Sequence, residues 1–226
     1  MAELILALDL PGRDEALRLL DRLPELRWVK VGSLLMTAEG PALVRELIGR
    51  GLQVFLDLKW HDIPSTVAGA VSVAAGLGVR LATVHALGGS EMLHAAAERG
   101  GERLALVGVT VLTSHTEQGY AELTGRPGVV LSDEALRLGR TAVAAGLDGV
   151  VCSPHEVAAM RAALGPEALI VVPGIRRPGD ARGDQSRVAG PSEAVRLGAT
   201  HLVVGRPILQ APDPAAALAG FLADLT

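Results

Sequence analysis

Of the 21 basic residues in this chain only two, Lys30 and Lys59, are lysine; the other 19 are arginine. A guanidinium with a pKa above about 12 holds its proton under all working conditions, whereas a compact ammonium can donate one. The two lysines are therefore the first candidates for chemistry. Lys59 lies in DLKWHDIPST, residues 57–66. On a strand, the period of two sends Asp57 and Lys59 to one side and Leu58 to the other. Asp62 follows in the next loop. A lysine between two carboxylates stays charged, because opposite charge nearby favours the ionised form. A Schiff-base lysine needs the reverse environment. Lys59 thus reads as a proton donor, with Asp57 and Asp62 as its partners. An ion-pair network that closes the bottom of a pocket is the alternative for the same three residues.

Other polar groups fall at the ends of apolar runs. The first run ends in Asp9, the second contains Lys30, and the fifth leads into Thr113 and Ser114. The seventh ends in Pro173-Gly174-Ile175-Arg176 and the eighth in Gly205-Arg206-Pro207. Gly205 and Arg206 suit a phosphate, which backbone N–H groups and a bidentate arginine fork bind well. Arg176 and Gln185, in a glycine-bearing loop, could close over the same anion. Arg177, Arg182 and Arg187 read as solvated charges. His61, His85 and His201 lack a second ligand at metal spacing and read as structural. Cys152, among Val150, Val151 and Ser153, reads as a buried thiol.

The elements that must position these residues are eight runs rich in Val, Ile and Leu: 4–9, 28–32, 53–59, 81–86, 105–112, 149–153, 169–175 and 201–206. Between them lie segments with helical spacing of apolar residues, among them 14–23, 42–50, 66–77, 133–145 and 192–197. Gly51, Gly78, Gly146 and Gly198 follow such segments, where left-handed C-caps are expected. Near-continuous apolar strands alternating with amphipathic helices argue for a parallel sheet covered on both faces. Eight units in 226 residues favour a single (β/α)₈ TIM barrel, one domain over 1–226. An open doubly wound sheet is the competing architecture; no GxGxxG follows the first strand to support it. The stretch 176–191 holds three glycines, two prolines and four arginines, and is long enough to imply a functional loop.

The net charge of −4, with charges interspersed, offers no basic stripe for nucleic acid or an anionic membrane, so the expected partner is a small molecule. One cysteine excludes an internal disulfide and a multi-cysteine metal cluster. The N-terminal apolar run is broken by Asp9, too early for a secretory or membrane segment, and the expected location is cytoplasmic.

Eight pieces in order, LALD (6–9), KVG (30–32), DLKWHDIPST (57–66), VHALGG (84–89), TVLTS (110–114), PGIR (173–176), GDQSRV (183–188) and VVGRPI (203–208), resemble the orotidine 5′-phosphate decarboxylases of the common bacterial type over essentially the whole chain. The family usually has Phe at Trp60, Asn at Ser65 and Thr at Gly190. The resemblance implies cofactor-free and metal-free decarboxylation of orotidine monophosphate to uridine monophosphate, in de novo pyrimidine biosynthesis, with Lys59 protonating C6. It implies Asp9 and Lys30 on ribose hydroxyls, Asp57 beside the substrate carboxylate, and Thr113 and Ser114 facing the pyrimidine. Arg176, Gln185, Gly205 and Arg206 would take the phosphate. Asp62 and Thr66 would reach into the active site of the other subunit of a homodimer. Two other functions compete. One is a magnesium-dependent sugar-phosphate decarboxylase or aldolase of the same barrel group, which would want a carboxylate at Lys30. The other is a barrel that binds a phosphate ligand without catalysis.

Overall fold

A β-branched run without alternation is stable as a strand only where both faces are covered, and β2 (Trp28–Gly32, WVKVG) is buried at every position. The computed structural model describes residues 2–177 and 189–225. Its strands are β1 (Glu3–Ala7), β2, β3 (Gln53–Trp60), β4 (Leu81–His85), β5 (Ala105–Val109), β6 (Gly149–Val151), β7 (Leu169–Val172) and β8 (His201–Val204). Each pairs in parallel with the next, and β1 pairs with β8, so the sheet closes into an eight-stranded barrel. The expected TIM architecture is the one observed, and the open sheet is excluded.

The helices between strands are α1 (Arg13–Leu20), α2 (Ser33–Gly49), α3 (Pro64–Leu77), α4 (Gly89–Gly100), α5 (Glu117–Thr124), α6 (Leu131–Ala144), α7 (Val157–Leu164) and α8 (Pro191–Arg196); α9 (Arg206–Leu209) and α10 (Pro214–Ala223) follow β8. None of the helices described is long and apolar enough to cross a membrane. Pro64 opens α3 at a position whose N–H has no helical partner anyway, which places the helix start directly after the Asp62-Ile63 turn. Gly51, Gly78, Gly146 and Gly198 all have positive φ, as expected of residues that end helices. The helix expected over 42–50 is the second half of α2. The first half begins at Ser33 and the two meet at a break where Gly40 has φ 63° before Pro41, since proline clashes with the preceding turn.

Two apolar layers result. The larger lies between barrel and helices; the smaller fills the barrel with Ile5, Ala7, Trp28, Phe55, Leu81, Val107, Val171 and Val203. Several strands are shorter than their apolar runs: β5 stops at Val109 rather than 112, and β7 at Val172 rather than 175. Apolar residues beyond the last ladder bond line the barrel mouth instead of extending the sheet, as Val111 and Leu112 do.

At the lower end His201 packs edge-on against Trp28, ring centroids 5.5 Å apart. Burial lowers the His201 pKa from 6.5 to about 4. The folded chain therefore refuses a proton that the unfolded chain accepts below pH 6.5, and stability falls as pH drops from 6.5 toward 4. Between pH 7 and pH 5 the loss should be about 2 kcal/mol larger in the parent protein than in His201→Gln, measured as urea-unfolding free energies.

Candidate active site

The inward face of the barrel changes character two residues above its apolar layer. Asp9 follows Ala7 on β1's exit, Lys30 follows Trp28, Asp57 follows Phe55, Thr83 follows Leu81 and Gly205 follows Val203, each at the period-two step. Apolar side chains thus plug the barrel below, and polar ones occupy the next layer, at the C-terminal ends of the strands where TIM barrels carry their sites. A cavity of about 340 Å³ opens there, with Asp9, Lys30, Asp57, Lys59, Thr113, Ser114, Arg176, Gly205 and Arg206 among its walls. It is large enough for a small-molecule ligand.

The charges interlock. Lys59 Nζ lies 2.9 Å from Asp57 Oδ1 and Lys30 Nζ lies 3.6 Å from Asp57 Oδ2. Lys30 Nζ also donates to Asp9 Oδ1 at 3.1 Å. Both lysines of the chain therefore meet at one carboxylate. Burial alone would raise the Asp57 pKa; the ammonium groups of Lys30 and Lys59, with hydrogen bonds from Lys59 and Thr83, overcome it and hold the carboxyl below its usual 3.8. Gly32 makes room for this cluster: a Cβ there would stand 2.9 Å from Lys30 Nζ and 3.5 Å from Asp9 Oδ1. The glycine of KVG leaves the Lys30 ammonium its place beside Asp9; a side chain there would oblige the flexible end of Lys30 to shift.

Asp57 and Lys59 meet on one side, as expected, while Leu58 packs into the outer layer. The strand between them is not regular, because Lys59 has φ 53° and the β3–β4 register shifts between Leu56 and Trp60. Asp62 and Thr66 stand apart. Both are exposed, Asp62 accepts from the Ile63 N–H, and neither lines the cavity of its own chain. Among the described residues of one chain Lys59 therefore has one carboxylate neighbour, Asp57, where the sequence pattern implies two. Gln185, Arg182 and Arg187 lie outside the described residues.

The supporting residues were less visible in the sequence. His85 stacks on His61 at 5.4 Å, and its pKa is lowered from 6.5 to about 4 by burial, then by His61, Lys59 and His115, so it adds no charge beside Lys59 near neutrality. The loop bearing Thr113 and Ser114 leads into α5, which is held to α6 by buried Glu134. That carboxylate accepts from Tyr120 Oη at 3.2 Å, Arg126 Nη1 at 3.2 Å and Arg137 Nη2 at 2.8 Å, and hydrogen bonding to Arg137 brings its pKa down to about 2. Arg177, expected to be solvated, instead pairs with Asp224 at 2.8 Å and lies over the Phe221 ring, tying the exit of β7 to α10. Cys152 is buried, as expected, and also lines the cavity.

A closed parallel barrel with a charged cavity above its apolar plug, at the strand ends where such enzymes carry their sites, puts the chain in the class of TIM-barrel enzymes. Comparison with known proteins narrows the class. The chain belongs to the orotidine 5′-phosphate decarboxylase / HUMPS family, whose model matches residues 2–221. An orotidine 5′-phosphate decarboxylase of Anaeromyxobacter sp. (strain K) is 53% identical over 204 residues, covering 89% of this chain and 88% of that protein. One of Halorhodospira halophila (strain DSM 244 / SL1) is 51% identical over 228 residues, covering 98% and 95%. The crystal structure of orotidine 5′-phosphate decarboxylase from Lactobacillus acidophilus matches with a TM-score of 0.88 at 34% identity, each chain covered in full.

Proposed function

We propose that the chain converts orotidine 5′-monophosphate to uridine 5′-monophosphate and carbon dioxide, a step of pyrimidine biosynthesis, with Lys59 as the proton donor. The observation that carries this reading is the Lys30–Asp57–Lys59 cluster at the cavity floor, in a chain about 50% identical to relatives named for that reaction.

Heterolysis of the bond between C6 and the carboxyl group releases carbon dioxide and leaves the electron pair on C6. A vinyl carbanion there has no conjugated electron sink, so its stabilisation must come from fixed charge aimed at it. The Lys59 ammonium, paired with Asp57 at 2.9 Å, supplies that charge and then transfers a proton to C6; the amine regains a proton from solvent. Asp57 beside the departing carboxylate adds repulsion in the ground state that is relieved as the bond breaks. Asp9 and Lys30 hold the ribose hydroxyls, and Thr113 and Ser114 face the pyrimidine. Arg176, Gln185, Gly205 and Arg206 take the phosphate, and binding energy gathered at that remote group orients the base over Lys59. Enzymes at the upper end of catalysis lower barriers by roughly 23 kcal/mol, far more than one ammonium supplies, so phosphate binding is integral to the rate.

The magnesium-dependent alternative is disfavoured by the same cluster. Asp57 already has an ammonium on each oxygen, and two cations in contact with it repel a third. We read residues 1–226 as one domain acting in the cytoplasm, and as a homodimer. Ile63, 63% exposed between Asp62 and Thr66, gives this rim an apolar contact, and Asp62 and Thr66 would complete the cavity of a second copy.

Ultraviolet monitoring of orotidine monophosphate with purified, metal-stripped protein in excess EDTA tests the reading. Full turnover in EDTA is expected. Turnover that requires added magnesium, or no decarboxylation at all, would overturn it.

A further inference from the structure

Across the centre of the site the β3–β4 ladder is out of step. Leu56 pairs with Ala82 and Trp60 with Val84, so β3 spends Asp57, Leu58 and Lys59 where β4 has only Thr83. Surplus backbone in one strand leaves ladder groups without their regular partners and bends the chain. Lys59 absorbs the bend at φ 53°, the one positive φ at a non-glycine residue among the described residues. A side chain with a Cβ is strained there and stays only where its surroundings hold it.

One side chain reaches both the Lys59 backbone and Asp57. Thr83 is fully buried, directly opposite the surplus residues. Its Oγ1 accepts the Lys59 backbone N–H at 2.8 Å and donates to Asp57 Oδ1 at 3.1 Å. The same Oδ1 receives the Lys59 ammonium at 2.9 Å. Lys59 backbone, Lys59 ammonium, Asp57 carboxylate and Thr83 hydroxyl thus form a closed ring of three hydrogen bonds. The hydroxyl has a single proton, and because it accepts from the N–H that proton is left for Asp57, which suits the carboxylate form.

We propose that Thr83 is a positioning residue for the reaction: its hydroxyl keeps Lys59 in the strained backbone conformation that aims the ammonium at the reacting carbon, and fixes Asp57 relative to it. The role rests on the decarboxylase reading above. Valine preserves the shape of Thr83 but leaves the Lys59 N–H without its acceptor and removes a donor from Asp57. Lys59 can then relax toward an extended conformation and carry its ammonium off line. A displacement of about 1 Å can cost about 10²-fold in rate. Ribose and phosphate contacts lie on other strands and stay in place, so the loss should fall on kcat rather than KM.

The test compares Thr83→Val, Thr83→Ala and Thr83→Ser by kcat, KM for orotidine monophosphate, and thermal midpoint. Val and Ala should lose about 10- to 100-fold in kcat with KM within about threefold of the parent enzyme, while Ser, which keeps the hydroxyl and lacks the methyl, should stay within about threefold in both. A Val variant with parental kcat, or Ser as slow as Ala, would overturn the role. Ser and Ala differ by the hydroxyl alone, so this pair carries the comparison where Val does not fold. An inactive parent protein would overturn the decarboxylase reading instead, an outcome distinct from equal Ser and Ala rates in an active enzyme.

Discussion

Replacing Lys59 by alanine should lower kcat for orotidine monophosphate by at least about 10⁴-fold, combining loss of a proton donor with loss of the charge that stabilises the carbanion. Uridine monophosphate should still bind within about tenfold of its original affinity, because the groups assigned to ribose and phosphate, from Asp9 to Arg206, are untouched. Arginine at the same position should not restore turnover: it supplies charge but cannot give up a proton. Equilibrium titration with uridine monophosphate, alongside steady-state kinetics, separates the two effects. A Lys59→Ala protein that turned over at an appreciable fraction of the original rate would remove the proton donor from the account.

Asp57→Asn should be nearly as damaging for a different reason. Among the described residues Asp57 is the one carboxylate within ion-pair distance of both Lys30 and Lys59, and its side chain is only 13% exposed. Without it Lys30, only 10% exposed, keeps Asp9 alone, Lys59 keeps no carboxylate among the described residues, and removing one partner from a buried pair typically destabilises by about 3 kcal/mol or more. We expect kcat to fall by about 10³-fold, and the unfolding free energy at pH 7 to fall by about 3 kcal/mol. The pH dependence follows from the sign of the shift. The folded pKa lies below the ordinary 3.8, so the parent protein holds this contribution at all pH above 3.8 and loses it only as pH falls through the lower folded value. The difference in stability between parent and variant should therefore be flat from pH 7 to about 4 and narrow only in stronger acid. Chemical denaturation of the two proteins across that range checks it.

Most of the site was readable from residue types because charge in an otherwise apolar run is conspicuous. Asp9, Lys30, Asp57, Lys59 and Arg206 interrupt or end such runs, and the closed barrel brings those ends to one cavity. Thr83 is inconspicuous for the opposite reason: within LATVH it reads as one more β-branched strand former. Its signal was positional, two residues after the inward-facing Leu81, on the face that turns polar at that height. The distortion at Lys59 was also hidden, since strict alternation and a bulge both put Asp57 and Lys59 on one side. Gly32 carried its reason only in three dimensions, in the space that Lys30 Nζ occupies. Asp62, three residues beyond Lys59, lies in the turn before α3 and outside the cavity of its own chain, so nearness in sequence does not become nearness within one chain.

The most direct test is a crystal structure of the protein with uridine monophosphate bound. C6 of the pyrimidine should lie about 3 to 3.5 Å from Lys59 Nζ, with the phosphate against Gly205, Arg206 and Arg176. A nucleotide bound the other way round, with its phosphate against Lys30 and Lys59 and its base toward Arg206, would contradict the account.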